Sequence, residues 1–87
     1  TFAAMTVETM ALADELCAGR LALVHEGGYS ELHVPFCGHA TIATLAGSAI
    51  TAEDPLQSRI AAQQPNARFA AFQHGLIDEM AAGLGLG

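Results

Sequence analysis

Tyr29 is the only tyrosine in the chain, and it closes the run His25-Glu26-Gly27-Gly28-Tyr29. A phenol fixed at the end of a rigid element can donate a hydrogen bond to a carbonyl oxygen as negative charge builds there. One donor aimed this way lowers a barrier by about 2.7–4 kcal/mol. The plainer alternative is a tyrosine packed at an element's end with its hydroxyl in water. Gly27 and Gly28 allow a sharp turn and a close approach of backbone to a ligand. Paired glycines can also cradle a phosphate, but the glycine spacing of dinucleotide folds and the lysine of a phosphate-binding loop are both missing.

Other groups of chemically able residues carry less. His25 to Tyr29 nearly matches the H-E-x-x-H zinc pattern, but the fifth residue is tyrosine and two glycines stand where a helix is required. Cys37 and His39 lie two positions apart, which on a helix points them in divergent directions, away from a common metal. Glu26 is a carboxylate with no partner visible in the sequence. No Ser-His-Asp set can be assembled from the four histidines at 25, 33, 39 and 74.

The elements around Tyr29 follow from the pattern of apolar residues. Leu21 to Val24 run without a polar break and end near glycines, which reads as a strand, Leu21–His25, buried on both faces as in a parallel sheet. Ligands of open α/β sheets sit beyond the carboxyl ends of the strands, and Tyr29 falls there. A helix is expected from Thr6 to Ala18, capped by Thr6 and stopped by Gly19. Its packed face holds Met10, Leu12, Ala13, Leu16 and Cys17. After a loop to Val34, Pro35 opens a helix to Ala46. It carries no Asp, Glu, Lys or Arg, and a helix that is apolar all round is ordinarily buried. Asp54-Pro55 precedes a short helix, Leu56–Gln64, that stops at Pro65. A last helix, Ala67–Ala82, has an apolar stripe of Phe69, Phe72, Leu76, Ile77 and Met80, with His74 off it at the surface. The tail Gly83–Gly87 should fray. The order implies an α/β fold in which one buried strand is accompanied by about four helices.

Bulk properties narrow the partners. The 87 residues suit one small domain, 52% are hydrophobic, and only 14% are charged. So small a domain has much surface for its volume, and so little charge implies that part of that surface is covered by more protein. A lone strand also leaves its backbone groups unpaired. The chain begins with Thr1 rather than Met, and it reads as a piece of a longer one. The net charge of −6 speaks against nucleic-acid phosphate and against an anionic membrane surface. No apolar run approaches the roughly 20 residues that span a bilayer, and no signal peptide is visible. Cys17 and Cys37 do not make a disulfide framework and read as reduced thiols of a cytoplasmic protein.

Two phrases resemble a known family. Arg20 to Ser30, with its Glu26-Gly27-Gly28-Tyr29, and Val34-Pro35-Phe36-Cys37-Gly38 together resemble the C-terminal part of zinc-dependent deacetylases. The nearest likeness is to bacterial class II histone-deacetylase-like amidohydrolases, with acetylpolyamine amidohydrolases as relatives. The resemblance implies the C-terminal part of a single, incomplete deacetylase-like domain over residues 1–87. It implies an arginase/deacetylase-type fold with a central parallel sheet, and zinc-activated water attacking an acetamide carbonyl. It further implies that Tyr29 hydrogen-bonds that carbonyl and that Gly27, beside Gly28, lines the acyl pocket. The family's Asp-x-His pair, second Asp and tandem histidines have no counterpart here. Zinc is therefore expected in the full-length protein and not on this chain alone, which should be inactive. The expected partners are the remainder of the domain or other copies of the chain, with an acetylated lysine or polyamine as substrate.

Two other functions fit the same residues. The chain can be a non-catalytic interaction module whose apolar faces are buried in an oligomer. It can also, more remotely, hold a phosphate on Gly27-Gly28.

Overall fold

A computed structural model describes residues 1–86, and all regular secondary structure among them is helical. The elements are α1 (Phe2–Cys17), α2 (Val34–Leu45), α3 (Gln57–Ala62) and α4 (Ala67–Gly83). The chain forms two compact units, Thr1–Gln57 and Ser58–Gly87.

The α/β expectation, and with it the parallel sheet of an arginase/deacetylase-type fold, is not met. Leu21 to Ser30 form an irregular connection with no strand among the described residues. A strand exists through the ladder it makes with a neighbour, and an apolar run cannot supply that neighbour. The burial expected for it is absent as well: Val24 is 89% exposed and Leu23 is also exposed.

In the first unit α1 packs against α2. The buried residues of α1 are Thr6 (5% exposed) and Ala13 (8%), with Ala3, Met10 and Cys17 half-buried between and beside them. These recur every three or four residues and form one stripe. The stripe differs from the expected one, because Leu12 and Leu16 are exposed. Small side chains let two helices approach closely, and here Thr6 and Ala13 take the packed positions. Thr6 is not a cap either. The helix begins four residues earlier, and the Thr6 hydroxyl donates to the Phe2 carbonyl at 2.8 Å. That bond satisfies the hydroxyl internally and permits its burial.

α1 stops on Ala18, whose φ of 54° is left-handed, followed by Gly19 at 75°. The Gly19 N–H donates to the Ala13 carbonyl at 3.0 Å. α2 begins one residue before Pro35, which tolerates the first turn because its missing N–H has no partner there in any helix. α2 is not buried as expected; its residues are half-buried or exposed.

In the second unit α4 is capped by Asn66, whose side chain accepts the Phe69 N–H at 3.0 Å. Phe69 and Phe72 lie 6.2 Å apart between ring centroids. They share an exposed apolar stripe with Leu76, Ile77 and Met80. The end of the helix carries its own hydrogen-bonded stop. Gly85 takes a φ of 71°, and the Leu86 N–H donates to the Ala81 carbonyl at 2.8 Å, as in a Schellman stop. Gly87, the last residue of the tail, lies outside the described residues.

Candidate functional site

The candidate site is the connection from His25 to Val34, between the end of α1 and the start of α2. Gly27 and Gly28 both take positive φ, 71° and 82°, a conformation that costs an L side chain about 1–2 kcal/mol. The turn anticipated at the paired glycines is therefore present. Gly28 is also crowded. A Cβ built there would meet Val34 Cγ2 at 3.1 Å and His25 Nε2 at 3.2 Å, whereas one on Gly27 would meet nothing within 4 Å. Tyr29 follows directly and is 94% exposed.

The chain after Tyr29 is bound by backbone hydrogen bonds. The Ser30 carbonyl accepts the His33 N–H at 3.1 Å and the Val34 N–H at 2.9 Å. The His33 carbonyl then accepts the Phe36 N–H at 3.1 Å, which starts α2. His33 is the N-cap residue of that helix, with no side-chain capping bond.

Instead, the His33 side chain reaches a partner 21 residues away. Its Nδ1 lies 2.6 Å from Asp54 Oδ2. The other carboxylate oxygen, Oδ1, accepts the Leu56 N–H at 2.8 Å. The hydrogen bond from His33, then that from Leu56, holds the Asp54 carboxyl below its ordinary value of 3.8, against the opposing effect of burial. An ionised carboxylate only accepts, so His33 Nδ1 carries the proton. The sequence identified Asp54 as a cap before Pro55 and missed this pairing. The one signal was that both residues stand just ahead of an X-Pro or Pro helix start.

The structure does not bring the remaining candidates together. Among the described residues no three His, Cys, Asp or Glu side chains converge as a metal site, so the residues present do not fit the zinc that the resemblance implies. Cys17 and Cys37 are free thiols. A recess is lined by Met10, Asp14, Gly19, Leu21 and Leu45, and neither Tyr29 nor its glycines are part of that lining. No helix of the described residues is long and apolar enough to cross a membrane.

Comparison with known proteins gives the class first: the chain is similar to an amidohydrolase. In particular, it is 49% identical over 86 residues to a histone deacetylase-like amidohydrolase of Pseudomonas aeruginosa. The match takes in 99% of this chain and 23% of that relative. The chain thus corresponds to a segment of a histone deacetylase-like amidohydrolase, which bears out the resemblance carried by its two phrases. No family model matches the chain.

Proposed function

We propose that the protein containing this segment is a hydrolase of acyl amides that removes acetyl or related groups from lysine side chains or polyamines. The observation that carries this is the 49% identity, along almost the entire chain, to a histone deacetylase-like amidohydrolase. In this reading residues 1–87 are part of one deacetylase-like domain and pack against the remainder of it. The exposed apolar side chains of Val24, Phe72 and Met80 are in keeping with such a covering. The protein is read as cytoplasmic on the sequence grounds above. The zinc ion of the resemblance is assigned to residues elsewhere in that protein.

Tyr29 supplies the step this segment can perform. As the amide carbonyl is attacked, its oxygen gains negative charge, and the phenol O–H donates a hydrogen bond to it. That bond strengthens as the acceptor becomes more negative, so it favours the transition state over bound substrate. Gly27, with open space where a side chain would stand, leaves room near the phenol for the acyl group, and Gly28 lets the backbone turn beside it. The positive φ of both glycines, which turns the chain just before the tyrosine, supports this assignment.

The test is Tyr29→Phe in the full-length protein, assayed on a fluorogenic acetyl-lysine amide. Removing one donor of this kind lowers kcat by about 10²–10³ with KM little changed. An unchanged kcat removes Tyr29 from the mechanism.

A further inference from the structure

One side-chain hydrogen bond joins two turns that are far apart in the chain. His33 Nδ1 donates to Asp54 Oδ2 at 2.6 Å across 21 residues. The carboxylate has little freedom to move. Its side chain is only 5% exposed, and Oδ1 is engaged by the Leu56 N–H. His33 is in turn bound into the turn that carries Tyr29. Both its N–H and that of Val34 donate to the Ser30 carbonyl, and Ser30 is the next residue after Tyr29. On the other side of Tyr29, Gly28 lies so near Val34 that a Cβ there would come within 3.1 Å of the valine methyl. The backbone on either side of the tyrosine thus refers back to His33 and Val34.

We propose that the His33–Asp54 pair is a positioning device for Tyr29, fixing the start of α2 and through it the place of the phenol. The proposal rests on the reading of Tyr29 as the carbonyl's hydrogen-bond donor. Neither His33 nor Asp54 touches the substrate; both act through the turn between residues 28 and 34. The pair is suited to this task because a charge-assisted bond is short and directional. A misplacement of about 1 Å in a catalytic group can cost about a hundredfold in rate.

The variants are made in the full-length protein and assayed on a fluorogenic acetyl-lysine amide. Asp54→Asn keeps the shape but gives up one of two accepting oxygens. His33→Leu removes the donor, while His33→Asn offers an amide N–H near the place of Nδ1. Asp54→Asn and His33→Leu are expected to lower kcat by about tenfold to a hundredfold with KM little changed, and His33→Asn to recover much of the loss. Combined with Tyr29→Phe, Asp54→Asn should cost nothing further, since the group it positions is gone. An equal loss in the presence and absence of the phenol overturns the proposal, as does an undiminished kcat in Asp54→Asn when Tyr29→Phe is impaired. Full activity in Tyr29→Phe overturns the reading of Tyr29 itself, and the proposal falls with it. Hydrogen exchange in the same full-length variants provides a readout apart from activity. The His33 and Val34 amides should exchange faster in Asp54→Asn while those of α1 do not, and unchanged exchange at residues 33 and 34 refutes the tie.

Discussion

Substituting alanine at each of the two glycines before Tyr29 separates backbone strain from crowding. Both sites have positive φ, 71° at Gly27 and 82° at Gly28. An L residue in that region costs about 1–2 kcal/mol, while alanine's lower freedom in the unfolded chain returns about 0.4–1 kcal/mol. Gly27→Ala adds a methyl to open space, so its net loss is only about 1 kcal/mol. Gly28→Ala bears the same strain and places Cβ within 3.1 Å of Val34 Cγ2 and 3.2 Å of His25 Nε2. The exposed imidazole can swing aside. Val34 cannot do so freely, because it is β-branched and sits in the first turn of α2, where one χ1 rotamer dominates. Forcing it off that rotamer costs a further 0.5–1.5 kcal/mol or so. Urea unfolding of the full-length protein, followed by circular dichroism, should rank wild type above Gly27→Ala and Gly27→Ala above Gly28→Ala. Adding Val34→Ala to both glycine variants should erase the difference between them, because neighbouring sites of this kind couple. Equal midpoints for the two single glycine variants would refute the crowding argument, and wild-type midpoints for both would refute the left-handed turn.

Further expectations follow from single residues. Ala18 ends α1 with a φ of 54°, so Ala18→Gly relieves strain and should raise stability by up to about 1 kcal/mol, read as a higher urea midpoint. Asn66→Ala removes the cap on α4 and should cost about 1 kcal/mol, while Asn66→Asp keeps it; equal losses for both would exclude the cap. The Asp54 carboxyl is held below 3.8 by the hydrogen bond from His33 and then that from Leu56. Its stabilising effect is thus complete above that pH and lost as pH falls through the lower folded value. The stability gap between wild type and Asp54→Asn should therefore narrow on acidification below 3.8, and a gap constant throughout the acid range would contradict the assignment.

The helices were legible because their punctuation is local. Pro35 and Gly47 bracket α2, and Pro65-Asn66 precede α4, so their spans lie within a residue or so of expectation. The turn at Gly27-Gly28 was legible for the same reason, since paired glycines ahead of an aromatic residue leave few other conformations. What failed depended on a partner. A run such as Leu21–Val24 encodes apolarity but not the second strand of a ladder. The face of α1 was misjudged because size was equated with burial. Thr6 satisfies its hydroxyl on the Phe2 carbonyl and packs, whereas Leu12 and Leu16 stay exposed. The His33–Asp54 bond escaped because no period of helix or strand relates residues 21 apart.

That last bond changes where the positional information for Tyr29 comes from. The sequence suggested that a buried strand would deliver the phenol from its N-terminal side. The structure provides no ladder on that side, and Val24 is exposed. The hydrogen bonds lie on the other side: those to the Ser30 carbonyl and that of the anchored His33 ring. A hydrogen-bond donor lowers a barrier only if it is held where charge will develop before the charge appears. Two glycines alone cannot provide that hold, because they are the residues with most freedom to lose. The start of α2 can, since its first turn, its N-cap histidine and that histidine's carboxylate partner are each fixed by at least one further hydrogen bond. Substitutions that loosen α2 at its N-terminus should accordingly disturb Tyr29 more than polar substitutions along residues 21–24, and the kcat of the two groups of variants measures that difference directly.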